Sequence, residues 1–573
     1  MIKKIKFWSR RTGQNRFLWG LFIFAVIFRL LLMVQFRFAV SFDEAHYLRL
    51  SASIFERGLS GLLHPYWTPF YPGVIAFTRL MTVDPELAGR LINVLSGSLL
   101  VLLIYRLSRE LFGKKEAFFA GLLVSIYPPL AYMNTNVMPE TLYTLTGISG
   151  LYLGWKSIQK MRPDRGLLAG LFWGMTYLLK PEGAGFLLVY IVIGGIFFSY
   201  QIVVRRERKC VLIPMLTIIG FLLVASPYFL YLRKVTGEWT LSAKAGVNQQ
   251  LEAAEMFDMG DVKDPLYHLT ADNRFLPYDM AYHIGNIQEL KTLREGKQRV
   301  VHIPVRNYIQ KYSRNLYHVL KYNIPHLMTT VLLVLWAIGF FGEWYDQRSW
   351  KLIFYLLANV AFFWFLLVPL FHVNDRYLMP LFPLCFIWVG KGCIHLYHWI
   401  VRGLEGETMS GSRVFRHRYH IGRGLVIGIL LLNLLPEMGK ILAIHKYDRG
   451  QWAEPVEMKE AGLWLKENTE HPPILMSLNK AVDFYAGQNN IRRGASFSYD
   501  LLPRNLAYAR YREVEYLVFS DRYLDWFPNL KPLMESRDPS PELQLMHEQI
   551  DPAGTRTVIY RLLPEEYHRP EDD

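Results

Sequence analysis

Eleven apolar runs, most near the roughly 20 residues that cross ~30 Å of hydrocarbon, constrain this chain more than any other feature. They fall at about residues 17–40, 87–107, 117–133, a run ending near Trp155, 166–179, 184–200, 211–232, 325–342, 352–371, 377–400 and 425–444. Inside a bilayer each backbone N–H and C=O must find its partner within the segment, so such runs fold as helices. The first run is too long for a signal-peptide core and lacks a small-residue cleavage site, which makes it a retained span. Arg29 within it is costly in lipid and is expected to face the bundle interior. The predicted fold class is therefore an α-helical polytopic membrane protein with about eleven transmembrane helices. At 52% hydrophobic residues the composition agrees. Cys210, Cys385 and Cys393 are scattered in or beside apolar runs and form neither a disulfide framework nor a zinc pattern.

A net charge of +15 could suggest nucleic acid, but the positions of the cations argue for membrane orientation instead. Alternating from a cytoplasmic start, segments on the inner side hold about 25 Lys and Arg, against about five in the short outer loops. The chain is thus expected to be a multi-pass protein of the inner (plasma) membrane with a cytoplasmic N-terminus. The outer segment 41–86 is amphipathic in places (Tyr47, Leu48, Leu50, Ile54, Phe55) and carries Pro65, Pro69 and Pro72. It reads as short helices lying along the membrane surface. A polar stretch, 233–324, is far too long for a turn. After the last span, 457–468 reads as an amphipathic helix, 474–478 and 516–520 as buried strands, and 482–486 as a short helix. This suggests a small extracytoplasmic α/β domain, 446–573, on the outer face of the membrane domain 1–445.

The same alternation places Asp43, Glu44, His64, Glu140, Lys180, Glu182, Asp375 and Arg376 on the outer side. Adjacent carboxylates at the mouth of a span are expensive to desolvate, and Asp43 there can serve as a general base. The pair could equally be a helix cap. Glu140, behind Pro139, fits a dipole-favoured cap as well as a site acid. Lys180 and Glu182 could form a local surface pair. His64 is a lone histidine, a loop residue or one ligand of a divalent metal whose other ligands are not visible. Arg376 heads a span bent by Pro380 and Pro383, and a guanidinium is suited to phosphate. Snorkelling to the interface is the alternative for it.

Asp43-Glu44-Ala45-x-Tyr47 resembles the first outer loop of C-type membrane glycosyltransferases, which include protein O-mannosyltransferases and aminoarabinose transferases acting on lipid A. His64-Pro65 with Pro69 and Pro72 is similar to the loop that follows. Ala88-Gly89-Arg90-Leu91-Ile92-Asn93 resembles the second span. Pro128, Asn134 and Glu140 match a later turn, and Leu179-Lys180-Pro181-Glu182-Gly183 another. Pro227-Tyr228 through Arg233, then Thr236-Gly237-Glu238, resembles the seventh span and its exit. Arg376-Tyr377-Leu378-Met379-Pro380 is similar to the late Arg-Tyr-x-x-Pro element. The resemblance is strongest to the bacterial branch acting on envelope glycans and covers about residues 17–400.

It implies transfer of a sugar from a polyprenyl-phosphate donor to a glycan, lipid or protein acceptor on the extracytoplasmic face. Asp43 and Glu44 become the catalytic candidates. Arg376, Tyr377, Lys180, Glu182, Glu140, His64 and Arg90 become the donor-phosphate or substrate-binding set. Direct displacement would invert the anomeric centre, whereas a covalent route would need a second carboxylate close to Asp43. No cofactor is assigned, and a divalent metal stays open. The competing readings are a transporter or flippase for lipid-linked sugars, and a non-catalytic scaffold. The absence of an inverted repeat weighs against the transporter.

Overall fold

The computed structural model describes residues 2–203, 208–244, 267–286, 305–371, 373–404, 413–449 and 453–564. Its frame is a bundle of long helices: α1 (Ile2–Phe36), then α2 (Phe42–Arg57) and α3 (Phe70–Thr78) in the first loop, and α4 (Pro85–Leu111). α5 (Lys114–Ile126), α6 (Pro128–Met133), α7 (Glu140–Lys160), α8 (Pro163–Leu179), α9 (Ala184–Val203) and α10 (Leu212–Thr236) follow. Local chemistry sets the ends. Asp84 accepts from the N–H groups of Glu86 and Leu87 to cap α4 behind Pro85, and Gly237 ends α10 in the left-handed region at φ 76°.

Among the described residues seven helices are long and apolar enough to cross a membrane, or eight if the pair 305–327 and 330–341, bent by 100°, is one span. The expectation of eleven also needs α5 with α6, α7 and α8, which do not meet that measure of length and hydropathy. They are nonetheless central to the bundle. α8 crosses α10 at Gly166, Gly170 and Gly174, where an added Cβ would strike the α10 backbone or side chains. Arg29 is fully buried, as expected, and donates to the carbonyls of Val124 (2.9 Å), Ala25 (3.2 Å) and Ser125 (3.3 Å).

The second half holds α11 (Val305–His318), α12 (Thr330–Phe341), α13 (Gln347–Val360), the short α14 (Asp375–Leu378), α15 (Phe382–Gly403) and α16 (Arg413–Leu442). α12 and α15 meet at Gly339 and Gly392, each too close to the other helix's backbone for a side chain. Of the polar stretch 233–324, residues 245–266 and 287–304 lie outside the described residues.

A four-stranded sheet closes the chain: β1 (Leu475–Ser477), β2 (Tyr516–Ser520), β3 (Leu543–Ile550) and β4 (Arg556–Leu562), in the order β1-β2-β4-β3. β1 and β2 are parallel, while β2–β4 and β3–β4 are antiparallel. α17 (Val456–Asn468), α18 (Ala481–Tyr485) and α19 (Leu502–Tyr511) accompany it.

This α/β unit sits on the first loop. α2 was expected on the membrane surface, yet ten of its sixteen residues are buried, because the sheet unit covers it. Arg49 donates to the carbonyls of Gln488 (2.7 Å) and Asn490 (2.9 Å) and pairs with Asp483 at 3.5 Å, both side chains fully buried. Upstream, Glu454 accepts from the N–H groups of Phe38 and Ala39 (2.6 and 2.9 Å) and from Arg37 (2.8 Å). The Val40 N–H donates to the Tyr485 hydroxyl, which donates to Glu86 (3.0 and 2.9 Å). Residues 37–49 are therefore clamped at both ends.

Candidate active site

Ser41, extended at ψ 174°, starts α2 with a capping box completed by Glu44. Asp43 thereby stands in the first turn of α2. From across the loop, α14 brings in Arg376: Asn374 caps this short helix by accepting from the Arg376 N–H. Nη1 of Arg376 meets Oδ2 of Asp43 at 2.9 Å, and its Nε lies 3.0 Å from Oε1 of Glu140. That second approach is an ion pair without an aligned hydrogen bond, since Nε finds no hydrogen-bond partner among the described residues. The break between α8 and α9 adds Lys180, whose Nζ lies 3.3 Å from both Glu140 Oε1 and Glu182 Oε1. Burial alone would lower the Lys180 pKa, but the carboxylates of Glu140 and Glu182 reverse the effect and raise it, so the ammonium is held charged. Tyr377 lies beneath both cations, 4.8 Å from Lys180 Nζ and 5.5 Å from the Arg376 guanidinium carbon.

Lys180, Glu182 and Tyr377 of this group line one end of a cleft with about 1220 Å³ of empty volume, its open mouth included, and Arg376, Asp43 and Glu140 stand next to them through the ion pairs just described. Tyr47, Tyr66, Lys180, Glu182, Lys244 and Tyr377 line the polar end, and Phe186, Phe363, Leu367, Val368 and Phe371 line the rest. Leu366 and Leu370 are exposed on the same turn, so the apolar wall continues onto the outside of the bundle. A cationic head beside an apolar channel suits an amphiphile with an anionic headgroup.

Asp43, Glu140, Lys180, Glu182, Arg376 and Tyr377 thus meet at one site. Glu44 does not face the cleft: it is buried, and its two oxygens accept from the N–H groups of Val137 (2.7 Å) and Ser41 (2.6 Å). Arg90 is turned away as well, paired with Glu86 at 2.7 Å and donating to Thr135 O at 3.3 Å. Asp375 accepts from Asn323 and His326 (2.7 and 2.6 Å). His64 is buried as a loop anchor. Its Nδ1 accepts from the Tyr66 and Trp67 N–H groups (3.1 and 3.2 Å), and its Nε2–H faces the His283 carbonyl at 3.3 Å. Gly285, at φ 73°, lets the 280–285 turn approach this ring, since a Cβ there would lie 2.9 Å from His64 Nε2. With one ring nitrogen accepting and the other donating, His64 has no lone pair left for a cation. Among the described residues no group of three or more His, Cys, Asp or Glu could hold a metal.

Sequence reasoning missed Lys244. Its ammonium lies 4.7 Å from the Tyr66 ring centroid and 5.6 Å from that of Trp67. Burial lowers its pKa, Asp43 opposes this, and Lys180 and Arg376 lower it further. The one signal was a lysine in a polar loop soon after the Thr236-Gly237-Glu238 exit. Also missed was the buried layer behind Asp43. His46, the unassigned position of the first-loop motif, stacks on Trp67 (4.7 Å) and His283 (4.9 Å).

Residues 64–231 match the family described as dolichyl-phosphate-mannose-protein mannosyltransferase. No curated protein sequence matches the chain. Among solved structures, the oligosaccharyltransferase of Archaeoglobus fulgidus tethered to an acceptor peptide aligns over 96% of this chain and 74% of its own, at 10% identity and TM-score 0.57. The same archaeal enzyme, AglB, in complex with an inhibitory peptide and a dolichol-phosphate gives 0.55 at 12% identity over 96% and 74%. ArnT of Cupriavidus metallidurans bound to undecaprenyl phosphate aligns over 94% and 97%, at 14% identity and TM-score 0.49. Likeness at such identities is one of fold.

Proposed function

We propose that this chain, a member of the superfamily of C-type polytopic membrane glycosyltransferases, moves a sugar from a polyprenyl-phosphate donor to an envelope glycan, lipid or protein acceptor on the extracytoplasmic face. The observation that carries the reading is the juxtaposition of Asp43 with Arg376 and Lys180 at the head of an apolar cleft. The matched family's description names a polyprenyl-phosphate sugar donor, and the donor proposed here is of the same kind.

The chemistry follows from the groups in place. The polyprenyl chain occupies the apolar channel, and the phosphate lies against Arg376, Lys180 and Lys244. Cations there stabilise the charge that develops on the leaving phosphate, more strongly in a partly dried cleft than in water. Asp43 takes the proton of the acceptor hydroxyl. The freed oxygen bonds to the anomeric carbon, the bond from that carbon to the phosphate oxygen breaks, and polyprenyl phosphate departs with the electron pair. A single displacement of this kind inverts the anomeric centre. Glu140 keeps Arg376 and Lys180 in place, and its buried Oε2 has no hydrogen-bond partner among the described residues. Glu44 supports the loop that presents Asp43.

The test is incorporation of label from a polyprenyl-phosphate sugar by the purified protein in proteoliposomes. Transfer to acceptor, with release of polyprenyl phosphate, is expected. Movement of intact donor across the bilayer without transfer would establish a transporter and overturn the reading.

A further inference from the structure

The opposite end of the bundle carries a second polar cleft, unrelated to the Asp43 site. It opens where α4 ends, α5 begins and the 342–346 turn crosses α15, and Phe112, Glu116, Glu343, Tyr345, Lys391 and His395 line it. Lys391 reaches it from inside the bundle with a side chain only 8% exposed. Its ammonium sits between the rings of Tyr345 (4.3 Å) and Phe112 (4.9 Å). The carboxylate of Glu343 stands 3.9 Å from Lys391 Nζ and 3.7 Å from His395 Nε2, beyond hydrogen-bond reach of either. Among the described residues neither donor has a hydrogen-bond partner, and the Nε2 atom is buried. An ammonium on a largely buried side chain and a buried ring nitrogen, both open towards one point, leave room for an oxyanion between them.

The rim restricts what carries that oxyanion. Glu116, Glu343 and Asp346 line the cleft around the donors, so a purely anionic group would meet repulsion, and a group with an ammonium next to its anion would not. Trp344 beside the cleft is fully exposed, as are Phe341 at 75% and Trp350 at 49%, an aromatic fringe of the kind found at headgroup depth. We propose that this cleft binds the phosphoethanolamine headgroup of an aminophospholipid. Its phosphate oxygen would sit between Lys391 and His395, and its primary ammonium would donate to Glu343 and Glu116. A choline headgroup has the charges but no N–H to donate, and a glycerol headgroup lacks the ammonium.

The full-length protein in micelles supplied with equal amounts of phosphatidylethanolamine, phosphatidylglycerol and phosphatidylcholine should retain the first preferentially by native mass spectrometry. Lys391→Ala should cut retention of that lipid roughly tenfold or more, the usual worth of a charge-assisted hydrogen bond. Glu343→Gln, a mild change at the rim where the side chain is 65% exposed, should abolish the preference over phosphatidylglycerol while leaving phospholipid bound. Wild-type protein without the preference would overturn the proposal, as would Glu343→Gln protein that keeps it. Displacement of the lipid by inorganic phosphate alone would assign the cleft to a soluble anion, which also overturns it.

Discussion

At the scale of single residues, the candidate site is a balance of charge: Asp43, Glu140 and Glu182 against Arg376 and Lys180, with Lys244 as the further cation. Lys244 tests that balance. It makes no ion pair among the described residues, so Lys244→Gln removes a cation without stranding a carboxylate. Donor binding should weaken while thermal stability stays near wild type, and unchanged donor affinity would exclude Lys244 from the phosphate site. Behind Asp43, His46 and His283 are held neutral, their pKa values pressed well below 6.5 by burial, with Arg49 and Lys480 adding to the effect. His64 is lowered to about 3 by burial, with Arg492 contributing. The sign follows from the unfolded chain, where each ring protonates near 6.5. Stability from these neutral rings is complete above that pH and is lost as pH falls below it, at about 1.4 kcal/mol per ring per pH unit. The melting temperature should therefore drop between pH 7 and pH 5.5, and His46→Phe should flatten the drop. A melting temperature independent of pH across that window would contradict the neutral cluster.

Between elements, the decisive contact is the one that holds α2. A helix beginning at Asp43's own turn could swing freely on a 41–86 loop, yet Glu454, Tyr485 and Asp483 fix both ends of 37–49 to the α/β unit. Asp483 also accepts from Ser477 at 2.9 Å and lies 3.8 Å from Lys480. Asp483→Asn keeps the shape but leaves Arg49 and Lys480 buried without their carboxylate. Breaking a buried pair costs about 3–5 kcal/mol. The variant should melt at lower temperature and lose transfer, although residue 483 is no part of the cleft. Wild-type stability in that variant would show that the clamp is not needed. None of this was legible in the sequence. An arginine on α2 and an aspartate more than 400 positions later carry no local signal of pairing. By contrast, the strand at 516–520 and the helix at 457–468 were readable, because buried apolar runs and helical periodicity are local properties. The β3–β4 hairpin was missed, since its first strand reads Leu-Gln-Leu-Met-His-Glu-Gln-Ile, half polar along an edge.

For the whole molecule, the alternation of apolar runs with basic loops was the readable layer, and it brought Asp43, Glu140, Lys180, Glu182 and Arg376 to one end before any geometry was known. Glu44, His64 and Arg90 were swept in with them because a motif marks a neighbourhood and not the direction of each side chain. The bend of 100° between 305–327 and 330–341 was also invisible, as apolar runs do not record where a helix turns. Since α2 binds the α/β unit, the candidate site and the C-terminal unit share one side of the bundle. The excess of Lys and Arg at the other end is the ground for proposing that the shared side faces away from the cytoplasm. A reporter active only outside the cytoplasm, fused after Asp573, should therefore be active. Activity only from a cytoplasmic reporter at the same position would invert the orientation and with it the side on which transfer is proposed.

The central claim is that Asp43 removes the acceptor's proton at a cleft whose cations hold the donor phosphate. Asp43→Asn nearly preserves shape, but an amide cannot take that proton. The direct measurement is transfer by the purified Asp43→Asn protein against wild type, with binding of the polyprenyl-phosphate sugar measured separately on the same samples. Glu44→Gln, which disturbs the loop's buried cap, serves as the comparison. The account predicts that Asp43→Asn folds and binds donor while transfer falls roughly 10²–10⁴-fold, and that Glu44→Gln loses stability ahead of chemistry. Near wild-type transfer by Asp43→Asn would contradict it.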